Sequence, residues 1–117
     1  MPATDPQSLL PLTPVVLHVL LAVADERQGK HGYAIAREVE ELTDGHIRMG
    51  PGTLYGSIQR MLDATLIEER HGRPQNGDDE RRRYYRVTPF GRRVLSLELT
   101  RLAEVVAIAR RKQLLPA

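Results

Sequence analysis

The sequence predicts a mainly α fold with one small β-hairpin: three short helices, the hairpin, then a long terminal helix. Three observations lead there. Apolar residues recur at helical spacing in four stretches, three of which open on a proline behind a capping candidate (Thr13-Pro14, Gly50-Pro51, Thr88-Pro89). Two short strand-like runs flank a turn-rich, arginine-rich insertion. Beyond Pro89, leucine, valine and alanine alternate at steps of four and three.

The elements follow in order. At 117 residues the chain has the length of one domain, and 41% hydrophobic with 27% charged residues is normal for a globular protein. Cysteine is absent, which excludes disulfides and thiolate chemistry. Residues 1–12 are read as a flexible, proline-broken leader without the basic start of a signal peptide. Thr13 caps a first helix over about 14–27, apolar almost all round, as a central core helix should be. Its apolar run, Val15 to Ala24, contains His18 and is too short to span a bilayer, so a soluble, cytoplasmic protein with no membrane partner is expected. "RQGKHG" reads as a loop. A second helix, about 32–43, places Ile35, Val39 and Leu42 on one face.

In "GPGTLYGSIQRML", Pro51 opens a third helix behind Gly50, an acceptable but weak cap. Leu54, Ile58, Met61, Leu62 and Thr65 form one stripe; Gly52, Thr53, Gly56, Gln59, Arg60 and Asp63 lie opposite, with Tyr55 and Ser57 on the flanks. Glycine inside a helix costs roughly 1 kcal/mol relative to alanine. Two of them on the outer face suggest a surface that another molecule approaches closely, with first-turn N–H groups able to meet a phosphate. Two helices, a turn and a helix with a polar face make the helix-turn-helix pattern. "LIEERH" (66–71) and "RRYYRVT" (82–88) add a hairpin, the winged variant, with Tyr85 and Val87 on one face. The last helix runs from Thr88-Pro89 to about Gln113. Its seam of Leu95, Leu99, Leu102, Val106 and Ala109 suits pairing with a second chain, the alternative being that it folds back on its own core. The boundaries are thus 1–12, 13–88 and 89–117.

The net charge of +2 hides a segregation. Residues 1–69 carry 5 basic and 10 acidic groups; residues 70–93 carry 8 arginines against Asp78, Asp79 and Glu80; residues 94–117 carry 4 basic and 2 acidic groups. A basic block next to an acidic one suggests a polyanion partner, against the plainer reading of a solvated arginine-rich loop.

"HGYAIAREVEELTDG", "GPGTLYGSIQRMLDATLIEE" and "RRRYYRVTPFGRRVL" resemble, in order and over about residues 14–96, the PadR family of winged-helix transcriptional regulators. With one C-terminal helix the chain looks like the short subfamily. The resemblance implies a homodimeric bacterial repressor, dimerised through that helix with help from the first. It also implies a palindromic operator on double-stranded DNA and release by a small-molecule effector such as a phenolic acid or drug. Gly50 stands where the family commonly has Ser and Gly56 where it commonly has Pro, and both changes weaken the start of the reading helix.

The candidate DNA contacts follow. Thr53 and Ser57 can donate to phosphate or base edges, beside Gly52, where the backbone can approach. Tyr55 can reach phosphate or sugar, or else belong to the core. Arg60 can fork onto guanine O6 and N7. Arg73, Arg81 and Arg82, at the wing, suit phosphate or the minor groove. His31 and Tyr33 open the second helix near a phosphate-binding amide, and Tyr33 can alternatively pack on the third helix. Catalysis finds no support. His18, His31, His46 and His71 lack metal-ligand spacing, no nucleotide or nucleophile motif occurs, and Asp78 to Glu80 are adjacent loop acids that repel or pair with Arg81 to Arg83. No cofactor or metal is expected, and no effector pocket is legible. The competing function is a winged-helix interaction module whose basic wing docks an acidic protein partner.

Overall fold

Pro14, Pro51 and Pro89 each occupy the first turn of a helix, where a fixed φ helps and the missing N–H costs nothing. A computed structural model describes residues 4–25, 29–70 and 83–116. In chain order these form α1 (Pro14–Val23), β1 (Lys30–His31), α2 (Gly32–Leu42), α3 (Pro51–Asp63), β2 (Ile67–Arg70), β3 (Tyr84–Val87) and α4 (Pro89–Arg111), preceded by one 3-10 turn (Pro6–Leu9). Among the described residues no helix is long and apolar enough to cross a membrane.

Threonine hydroxyls hold two of the starts. Thr13 Oγ1 accepts from the Val16 amide at 3.2 Å, and Thr88 Oγ1 accepts from the Gly91 amide at 2.8 Å. Thr88 also donates to the Thr65 carbonyl at 2.5 Å, tying the start of α4 to the end of the α3 turn. The core gathers Val19, Leu20, Ala22 and Val23 of α1, Ile35 and Val39 of α2, Leu54, Ile58 and Met61 of α3, and Val94 and Leu95 of α4. Burial of a side chain of this size is worth about 1.5–3 kcal/mol. Tyr85 joins them from the sheet, and burial first, then the nearby Glu69 carboxylate, raises its phenol above the ordinary value.

Four features depart from the sequence reading. First, the sheet has three strands in the order β1-β3-β2, because Lys30 and His31, a loop by sequence pattern, pair antiparallel with Tyr85 and Tyr84. Second, α1 stops at Val23, short of the expected 27. There the Ala24 carbonyl accepts from Arg92 of α4 at 2.6 Å, and the Ala22 carbonyl accepts from Lys30 Nζ at 2.9 Å. Lys30 also pairs with Glu38, so one ammonium joins α1, β1 and α2.

Third, residues 5–12, read by sequence as part of a flexible leader, are packed on the fold. Their 3-10 turn, capped by Asp5, packs beside α4. The Leu12 amide donates to Glu98 Oε2 at 2.6 Å, and Leu9, Leu10 and Leu12 lie against the core. Fourth, Leu95 is only 5% exposed. The first half of α4 covers its own core, and the exposed apolar surface begins at Leu99.

Candidate nucleic-acid interface

The N-terminal end of α3 has no side-chain cap. Gly50 leaves nothing to fold over the first turn, so the amides of Gly52 and Thr53 precede the first closed intrahelical bond, from the Leu54 N–H to the Gly50 carbonyl at 2.9 Å. A Cβ at Gly50 or Gly52 would meet nothing within 4 Å. At Gly50 and Gly52 the backbone of this end therefore faces open space, with the exposed side chains of Pro51 and Thr53 beside it.

Helical periodicity then sorts the side chains. Leu54, Ile58 and Met61 point into the core, and Gly52, Thr53, Tyr55, Gln59 and Arg60 are exposed. Ser57, expected on the DNA-facing flank, is 1% exposed and cannot reach another molecule. It lies three positions from Leu54 and four from Met61, close enough to the buried stripe to be drawn under. Its Oγ instead accepts from Arg60 Nη2 at 3.2 Å. Gln59 donates to Asp63 Oδ1 at 3.0 Å, which engages the one carboxylate on this face of α3.

Tyr55 is 52% exposed, so it is not a core residue, yet one edge of its ring rests on Gly32: a Cβ there would be 3.1 Å from both Cε1 and the hydroxyl oxygen. Gly32 is the first residue of α2, and this close approach joins the N-terminal ends of α2 and α3 on one side of the molecule. His31 caps α2, its Nδ1 accepting from the Ala34 amide at 3.2 Å, a role that places the ring proton on Nε2. Tyr33, 66% exposed, follows Gly32 in the first turn of α2.

The sheet adds a row that sequence reasoning missed. His31, Tyr84 and Arg70 stand in register across β1, β3 and β2, with the His31 and Tyr84 rings edge to face at 5.9 Å. Tyr85 points into the core, so its neighbour Tyr84 faces outward by strand alternation. That alternation was the available signal, but the partner strand β1 is two residues long and carries no pattern of its own.

The described part of the wing is closer to neutral than its arginine count suggests. Arg86 Nε lies 2.6 Å from Glu68 Oε1, and Arg83 Nε lies 3.3 Å from Glu69 Oε1. Arg73, Arg81 and Arg82 lie outside the described residues. At the far end of α4, Leu99 (41% exposed), Val105 (50%), Val106 (36%) and Ile108 (43%) are uncovered, and Leu102 and Ala109 are half-buried.

This arrangement has relatives. Residues 20–97 match the PadR-like family of transcriptional regulators. The chain is 36% identical over 92 residues, 78% of each chain, to transcriptional regulator Rv3488 of Mycobacterium tuberculosis. It is similar in fold to a PadR family transcription regulator from Clostridium difficile, with TM-score 0.65, 24% identity, and 83% of this chain and 97% of that one covered. A PadR-like transcription factor from Bacteroides fragilis aligns with TM-score 0.65 and 18% identity, covering 83% of this chain and 87% of that one. Built from a helix-turn-helix of α2 and α3, a β2-β3 wing and a long closing helix, the chain belongs to the PadR-like family of transcriptional regulators and has their winged-helix fold.

Proposed function

We propose that the protein is a sequence-specific DNA-binding repressor that works as a homodimer on a palindromic operator and is released by a small-molecule effector. The observation that carries the DNA-binding part is the uncapped, glycine-lined outer face of α3. The major groove is wide enough to admit an α-helix, and small residues on its outer side let the backbone and the neighbouring side chains come close to base edges. Thr53 and Arg60 are the exposed groups there that can bond to bases. Tyr33, Tyr55 and His31 flank them at the height of the phosphates, and Arg73, Arg81 and Arg82 supply charge from the wing.

The homodimer is supported by the uncovered apolar surface of α4 from Leu99 to Ile108, which has the composition of a helix–helix seam. Repression and effector release rest on family membership. The first experiment is a gel shift with genomic fragments across a salt series. Tight binding to a few fragments that weakens steeply with salt supports the proposal. Binding confined to acidic proteins would move the assignment to a docking module.

A further inference from the structure

We infer that Gly56 and Ser57 form a seat that sets the Arg60 guanidinium as the reader of a guanine in the operator. This rests on the DNA-binding reading above and specifies which residue makes the base choice. In a helix, long side chains lean toward the N-terminus. From position 60 that lean carries the guanidinium back over position 56. Arg60 Nη1 lies 3.6 Å from where a Cβ of Gly56 would be, an ordinary contact, so a side chain reaching beyond Cβ at 56 would contend for the space that glycine leaves open. The same guanidinium is held on its other side, Nη2 donating to the buried Ser57 hydroxyl at 3.2 Å.

One hydroxyl takes one of the five donor hydrogens of an arginine. The rest of the fork stays free, because among the described residues Arg60 has no carboxylate partner and Asp63 is engaged by Gln59. The charge therefore lies along the middle of the exposed face, one turn nearer the slim end of α3 than its own Cα. The N-terminal half of a recognition helix is the part that meets base edges. A planar fork held in place there matches O6 and N7 of guanine and loses less freedom on binding than a loose lysine would. Ser57, buried and unable to touch DNA, is a positioning residue acting through Arg60.

The test uses the full-length protein. Duplexes are selected from a random pool by the wild type, and each base pair of the selected site is then replaced in turn. Binding is measured for the wild type, Arg60→Ala, Arg60→Lys and Ser57→Ala. We expect one G·C position at which the wild type discriminates by about 5- to 150-fold. Arg60→Ala and Arg60→Lys should lose that preference. Ser57→Ala should reduce it severalfold, with an unchanged melting temperature and unchanged preferences elsewhere in the site. Ser57→Cys, of similar volume but with a weak acceptor, gives the same reading should alanine disturb packing. A uniform loss on all duplexes with Arg60→Ala, and a salt slope lower by about 0.9, would make Arg60 a phosphate contact and overturn the inference alone. Full discrimination in both Ser57 variants would overturn the seat. A wild type that selects no duplex would overturn the DNA-binding reading and the inference together.

Discussion

Gly91 and Gly56 are both helical glycines, and their surroundings give opposite expectations for substitution. A Cβ on Gly91 would lie 2.0 Å from the Leu66 carbonyl oxygen, a backbone atom that cannot swing aside. The first turn of α4 rests directly on the chain entering β2. Gly91→Ala should therefore destabilise the protein by about 1–3 kcal/mol, the range for overpacking a filled interior. Urea denaturation would read it, and an unchanged midpoint would mean the two segments separate easily. Gly56 is half-buried, and a Cβ built on it would meet just the Arg60 guanidinium, at 3.6 Å. Gly56→Leu should keep or raise thermal stability, since it removes a helix-interior glycine worth roughly 1 kcal/mol. It should also abolish operator binding, because the leucine fills space the duplex needs and displaces Arg60. Loss of both properties would argue for a buried site, and retention of both would take this face off the DNA.

At the scale of elements, the 3-10 turn before α1 and the helix α4 are joined through one carboxylate. Glu98 is 1% exposed and accepts from Arg101 Nε at 2.5 Å and from the Leu12 amide at 2.6 Å. The Arg101 hydrogen bond is the main reason its carboxyl titrates below the ordinary range; the Leu12 amide adds to this and burial opposes it. A carboxyl with a lowered folded-state pKa stabilises the fold above its unfolded value, near ~4.3, and that contribution is lost as pH falls through the folded value. Urea titrations from neutral pH down through the carboxylate range should show stability falling on the acid side, with Glu98→Gln losing part of that fall. Identical profiles would mean the latch carries no weight. Sequence alone placed the helix starts well, since Thr13-Pro14, Gly50-Pro51 and Thr88-Pro89 are local signals with a local cause. The latch was invisible there, because Leu12 and Glu98 meet across 86 positions of chain. Equally hidden was β1, whose two residues are strand only because Tyr84 and Tyr85 lie alongside. The exposed face of α3 was legible from its period apart from Ser57, which lies at the margin of the buried stripe where a small side chain goes under. The stripe also ends before Thr65, which is exposed beyond the last turn at Asp63.

For the molecule as a whole, α4 has a buried root and an uncovered far half. Leu102→Glu puts a charge in the middle of the proposed seam while leaving Val94 and Leu95 in the core. Light scattering should show monomers, and tight operator binding should disappear with the second half-site. A variant that stays dimeric would remove the seam from α4. The wing bears on the same complex differently. Replacing Arg81 and Arg82 by alanine should weaken all duplexes alike and flatten the salt slope by up to about 0.9 for each phosphate that is no longer neutralised. Relaxed preference at one base pair with an unchanged slope would make them base readers.

Thr88 and Arg92, which fasten the root of α4, also decide how the molecule can move. Thr88 Oγ1 bonds to the backbone behind α3, and Arg92 bonds to the end of α1, so α4 leaves the reading unit with no flexible joint at its root. Its 23 residues make a rod of about 34 Å, comparable to one turn of duplex DNA. In the proposed dimer each reading unit is then welded to a lever whose fulcrum is the seam. Small slippage at the fulcrum is magnified at the tip, and neither unit can swivel to make up for it. An operator lengthened by half a helical turn between its halves should be refused outright rather than bound more weakly, and a ligand could dislodge the protein by shifting the levers without touching DNA.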